Sequence, residues 1–208
     1  MDRASKLRRL EDFRRSKPHC SASALAQILK DIKQHGLPEL TDRGAMRQAR
    51  DRVANLETPY GCIVKSISIM DKNGTYIDLP IACPFACLTH ALEESHSFRT
   101  FFKQRLLLKP PSPENPWTII LYCDEVTPGN PLATLNERRF HAFYWSFSEF
   151  GPEALSHEEA WFIIMTEFSP IVNDIQGGLS AVFAGVVKAF FKEGMNMKHG
   201  GITLSMDD

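Results

Sequence analysis

No stretch of this 208-residue chain is apolar over the length a bilayer requires. Its first residues, MDRASKLRRLEDFRRSK, are charged throughout and lack the apolar segment of a secretory leader. Neither a membrane span nor export is expected. Cysteine is scarce and odd in number: Cys20, Cys62, Cys83, Cys87 and Cys123, irregularly spaced. That argues against a disulfide framework and fits a reducing, intracellular setting, nucleus or cytoplasm. The chain has no G-x-S-x-G, no P-loop, no dinucleotide fingerprint and no H-E-x-x-H. Chemistry that needs a nucleophile elbow, a phosphate cradle or a zinc-binding helix is therefore not indicated. Internal repeats and long low-complexity tracts are missing as well.

What is present suffices for a real core. Hydrophobic residues make up 43% of the chain, and charged residues an ordinary 24%. The net charge of −1 hides an asymmetry: residues 1–52 carry a net +6 and the remainder a net −7. A basic front on an acidic body suggests a division of roles. Arg8, Arg9, Arg14, Arg15, Arg47 and Arg50 recur at helical spacing in that front. Such a face suits nucleic-acid phosphates, with DNA as the implied partner; the competing reading is a solvated helix face.

Periodicity predicts an α/β (α+β) chain. Residues 1–56 read as a basic helical region. Leu25, Ile28, Leu29 and Ile32 form the stripe of one helix, stopped by Gly36 and Pro38. Thr41 or Asp42 starts another that is more polar than a core helix should be. Residues 57–108 read as a β-hairpin plus two helices. IVKSISIM alternates, Asp71–Gly74 turns, TYIDLPIA returns, and Pro80 argues for an edge. Four prolines in KPPSPENP, residues 109–116, form a stiff linker and place the internal boundary there.

Residues 117–208 read as a partial domain of strand, strand, strand, helix, strand. The strands are WTIILYCD (117–124), FHAFYWSF (140–147), AWFIIMTEF (160–168) and GITLSM (201–206). The middle strand is aromatic on both faces, so burial on both sides is expected. Ser169 is the expected N-cap of a long helix with Pro170 at its first position. That helix carries Leu179, Val182, Val186 and Phe190 at core spacing, with Gly177 and Gly178 inside its pattern.

This β-β-β-α-β order, with a first strand ending in Asp124, is how the ribonuclease-H-like fold begins. The run LYCDEVTPGNPLATLNERRFHAFYWSFSEFG, followed by EEAWFIIMTEFS, resembles transposon-derived, ribonuclease-H-like (DDE-type) transposase relatives of eukaryotic genomes. The resemblance covers about residues 59–204 and is strongest over 117–170. It implies Asp124 as the first catalytic, metal-binding carboxylate and Asn130, Pro131 and Leu132 as the loop motif that follows. Carboxylates holding two divalent cations would stabilise both oxygens of a phosphodiester exchange, and hard oxygen ligands suit Mg²⁺ or Mn²⁺. The second acidic residue is expected beyond strand 201–206. Either Asp207 or Asp208 supplies it, or the chain is a truncated copy; truncation, an N-terminal part without a complete site, is the expectation. The implied function is a fragment of a nucleic-acid-processing protein, against a non-enzymatic protein-interaction or nucleic-acid-binding module.

Each of these residues has a plainer reading. An aspartate at a strand end commonly caps a turn. Glu125 should point to the face opposite Asp124. Glu167 reads as solvent-facing, and His141 as a hydrogen-bonded histidine of the core or its rim. Cys83, Cys87 and His90 share a helix face with His96 nearby, but a buried cysteine pair is the commoner case than zinc.

Overall fold

The computed structural model describes residues 22–37, 39, 42–127, 139–192, 195–196 and 204. The chain divides into two compact units, Met1–Ala49 and Arg50–Asp208. In the first lies helix α1 (Ala22–His35), whose Leu25 is buried and whose Leu29 and Ile32 are half-buried; Ile28, expected on that stripe, is exposed. Gly36 ends α1 at φ +82, a backbone angle that costs glycine little. Helix α2 (Arg43–Ala54) buries no residue, in keeping with its polar sequence. Asp42 caps it, its Oδ1 accepting from the Ala45 N–H at 2.9 Å.

The second unit is mixed α+β, built from small antiparallel sheets. A short ribbon, β1 (Glu57–Thr58) and β2 (Gly61–Cys62), precedes the hairpin of β3 (Val64–Met70) and β4 (Tyr76–Ala82). Asp71 organises the hairpin turn: its Oδ1 accepts from the N–H groups of Asn73 (2.9 Å) and Thr75 (2.8 Å). Gly74 takes φ +82 there. Helices α3 (Pro84–Glu94) and α4 (His96–Leu108) follow, the second capped by Ser95 Oγ, which accepts from Phe98 N.

Next come β5 (Ile119–Val126), β6 (Phe140–Phe147) and β7 (Phe162–Phe168), an antiparallel sheet in sequential order. Three apolar segments separated by turn signals predict this arrangement, with boundaries within two residues. A short helix α5 (Gly151–Leu155) lies between β6 and β7.

The long helix expected after β7 is two helices, α6 (Ser169–Asp174) and α7 (Gly178–Phe190). At the break, buried Ile175 bridges Asp71. Lys72 N donates to Asp174 O at 2.9 Å and Gln176 N to Met70 O at 3.0 Å. Gly177 and Gly178 take φ +87 and +56, so this pair bends the chain rather than packing inside a helix. Ser169 is the first helical residue, not the cap. Leu179 is 40% exposed, whereas Val182, Val186 and Phe190 are fully buried. Two-residue strands β8 (Phe191–Lys192) and β9 (Met195–Asn196) follow. Of the expected strand 201–206 only Leu204 is described; it is not in a strand and packs on the core.

One core joins the segments on both sides of residues 109–116. Leu79 and Ile81 of β4, Leu88 and Leu92 of α3 and Phe102 of α4 belong to the same cluster as Trp145, Met165, Val186 and Phe190. Phe102 meets Trp117 at 5.2 Å and Phe147 at 6.3 Å between ring centres. The proline-rich segment is therefore a strap across one unit, not a boundary between units. No helix among the described residues is long and apolar enough to cross a membrane.

Phe190 fills the gap beside Trp145, 5.3 Å from it edge to face. Phe190→Ala is expected to destabilise the chain by about 3–5 kcal/mol through lost burial and a residual cavity. Denaturant unfolding monitored by tryptophan fluorescence measures this.

Candidate functional site

The sheet β5–β6–β7 has two unlike faces. Register puts Cys123, Phe143 and Met165 in one row and Asp124, Ala142 and Thr166 in the next. Because side chains alternate, the first row points to the core and the second away from it. The outward face carries Tyr122, Tyr144, Ile163 and Phe168. Tyr122, Ile163 and Phe168 are more than half exposed. Tyr122 and Tyr144 lie across the strand pair at 6.4 Å between ring centres, tilted by 31°. The middle strand has no exposed residue: on this face Ala142 and Ser146 are fully buried and Phe140 and Tyr144 half-buried, as its aromatic content predicts.

Asp124 lies on this outward face and is exposed. Strand β5 runs on to Val126, so Asp124 is inside the strand rather than at its end. Among the described residues no backbone N–H caps its carboxylate, and its row brings it only Ala142 and Thr166. Glu125 points to the opposite face, as alternation requires. Among the described residues no group of three or more His, Cys, Asp or Glu is placed to hold a metal. Asp207 and Asp208, and the loop Asn130, Pro131 and Leu132, lie outside the described residues.

A second polar group closes the core side of the sheet. Glu125, His141 and Glu167 form one row. Glu125 is its hub: Ser169 Oγ donates to Glu125 Oε1 at 2.8 Å, Arg139 Nη1 lies 3.6 Å from Oε2, and His141 Nε2 lies 4.0 Å from Oε1. Ser169 is buried, so its hydroxyl is closed to a substrate and serves to hold Glu125. Glu167, expected in solvent, is 9% exposed; its Oε1 accepts from Phe168 N at 2.9 Å. It also borders a cleft of about 390 Å³ with Asp71, Asp78 and Asp174. Only pairing register reveals this row. The sequence signal was one polar residue two positions beyond an apolar one in each strand: Glu125 after Cys123, His141 before Phe143, Glu167 after Met165.

The remaining candidates are scattered. Arg47 and Arg50 are exposed on α2, and Arg50 Nη2 pairs with the neighbouring Asp51 Oδ1 at 2.9 Å. Arg8, Arg9, Arg14 and Arg15 lie outside the described residues. Cys83 occupies the N-cap position of α3, and Cys87 lies one turn on. Burial and, after it, the Cys83 sulfur push the Cys87 thiol up to about 11. Burial, with Asp124 adjoining, likewise raises Cys123.

Comparison with protein-family models, curated proteins and solved structures finds no match to this chain.

The Cys87 shift has a direct consequence. An unfolded thiol ionises from about pH 9, whereas the folded one keeps its proton up to about pH 11. Protein stability should therefore fall as pH rises through that window. Alkylation of Cys87, followed by peptide mass mapping, should keep accelerating to about pH 11. A rate that levels off near pH 9 would contradict the burial argument.

Proposed function

We propose that this chain is a transposase-derived module with the ribonuclease-H-like element order, and that it acts by binding nucleic acid rather than by cutting it. The observation that carries the reading is the position of Asp124. It stands on the first strand of the three-stranded sheet, where the resemblance expects the first acidic residue, yet its described neighbours across the sheet are Ala142 and Thr166. Two-metal phosphodiester chemistry depends on several carboxylates held rigidly around one point. An exposed aspartate with no other carboxylate across the sheet from it among the described residues lacks that preorganisation. Three antiparallel strands followed by helices support the ribonuclease-H-like reading. The basic charge of residues 1–52 supports an affinity for phosphate.

A specific observation favours a second reading, a protein-binding module. The outward sheet face presents Tyr122, Tyr144, Ile163 and Phe168 with Asp124 among them, and no Lys or Arg among the described residues lies on it. Such a face suits an apolar protein surface better than a phosphate backbone.

The purified chain and an Asp124→Asn variant, incubated with Mg²⁺ or Mn²⁺ on duplex and single-stranded DNA, test the proposal. No Asp124-dependent cleavage is expected. DNA affinity should drop by roughly tenfold or more between about 50 and 200 mM salt. Cleavage by the parent that vanishes in the variant would establish catalysis at Asp124. Absence of any salt-sensitive DNA binding would leave the protein-binding reading standing.

A further inference from the structure

Strand β3 has one partner among the described residues, β4. The bonds Cys83 N to Ile63 O and Asp71 N to Thr75 O fix which residues of the hairpin exchange hydrogen bonds. By the antiparallel alternation, Lys65, Ile67 and Ile69 bond to β4, while the N–H and C=O groups of Ser66 and Ser68 point to the other edge. Gln176 N closes that edge at Met70 O, 3.0 Å away. Ser66 and Ser68 are exposed, and no described residue bonds their outward backbone groups. The other edge of the hairpin is blunted in sequence. Pro80 pairs with Ser66 in the non-bonded register, so the N–H it lacks is one that would have faced outward. The β3 edge has no such block.

A groove of about 690 Å³ runs along this edge, walled on its far side by α7. That wall is made small and apolar by Ala181, Ala184 and Gly185. Gly185 lets the helix approach: a Cβ there would lie 2.9 Å from Ile67 Cδ1. Two charged residues border the groove among the described ones, Lys65 and Lys188, and neither is acidic. Lys65 Nζ donates to Tyr60 O at 2.6 Å, and Lys188 is exposed on the last turn of α7.

We infer that this groove is a docking site for an extended, acidic peptide segment of a partner protein, which adds to β3 as a third strand. An unpaired edge supplies backbone hydrogen bonds to any extended chain, and pockets beside it read alternate side chains. Here one face of the added strand meets the α7 wall, where small or β-branched apolar residues fit. Lys65 and Lys188 select carboxylates flanking that apolar stretch. The site is on a different surface from Asp124, and the inference does not depend on whether the chain binds DNA.

The test uses the full chain and two labelled synthetic peptides of alternating valine and threonine, one flanked by glutamates and one by lysines. Fluorescence anisotropy should show binding of the glutamate-flanked peptide and weaker binding of the other. Amide hydrogen exchange at Ser66 and Ser68 should slow in the complex. Lys188→Glu, an exposed change, should weaken binding of the glutamate-flanked peptide by about two- to fivefold. Ser68→Pro removes an outward N–H without disturbing the bonds to β4, and should weaken both peptides by roughly tenfold. Three results would each overturn the inference: no binding of the glutamate-flanked peptide, no preference over the lysine-flanked one, or unchanged exchange at Ser66 and Ser68. Protection of those amides that grows with protein concentration in the absence of peptide would also overturn it, assigning the edge to a second copy of this chain.

Discussion

The second unit is organised around Trp145. The indole is fully buried in the middle of the central strand, stacked on Phe162 at 4.9 Å and met edge-on by Phe147 at 5.4 Å and Phe190 at 5.3 Å. These contacts tie β6 to β7 and both to α7. Through Phe147 and Phe102 they extend to α4 and to Trp117. Large rings bury much apolar area with little rotamer entropy to lose, so a few of them can hold many elements in one arrangement. Residues 109–116 are constrained by this packing. The strap they form has its ends held by Trp117, whose Nε1 donates to Lys109 O at 2.7 Å.

A second constraint follows from the first. With α7 held on the sheet by Phe190, the chain leaving β7 must also reach the hairpin tip, where Ile175 is buried and bridges Asp71. A continuous helix would leave the backbone of Ile175 hydrogen-bonded within itself. Two glycines with positive φ allow the chain to break, pair with the hairpin, and start a new helix. The hairpin is thereby anchored at its turn, by Met70 O and Lys72 N, while its outer strand β3 keeps an open edge further along.

The polar residues sort by the face they fall on. Glu125, His141 and Glu167 are on the core side; Glu125 joins His141, Ser169 and Arg139 in one network, while Glu167 accepts from Phe168 N. Asp124, one residue away from Glu125, is on the open face among aromatic side chains. Adjacent carboxylates thus have different surroundings because a strand alternates its side chains. That alternation also separates the two acids a shared metal site would need to bring together.

Much of the secondary structure was legible in the sequence because it is locally encoded. The alternation of IVKSISIM, the turn at Asp71–Gly74, the three apolar strands, Asp42 as a candidate cap and Gly36 as a stop each depend on residues a few positions apart. The edge position of Pro80 and the core role of Val182, Val186 and Phe190 were legible for the same reason. What the sequence could not determine is non-local. The break at Ile175 arises because a hairpin a hundred residues earlier in the chain competes for that backbone, overriding a helical pattern that is locally sound. The burial of Glu167 and its row with His141 and Glu125 depend on strand register, which no single strand contains. The isolation of Asp124 from other described carboxylates and the open edge of β3 are likewise settled by which segments pack side by side. Local sequence determines what each segment can become; only the tertiary fold decides which of its faces and edges are left for another molecule.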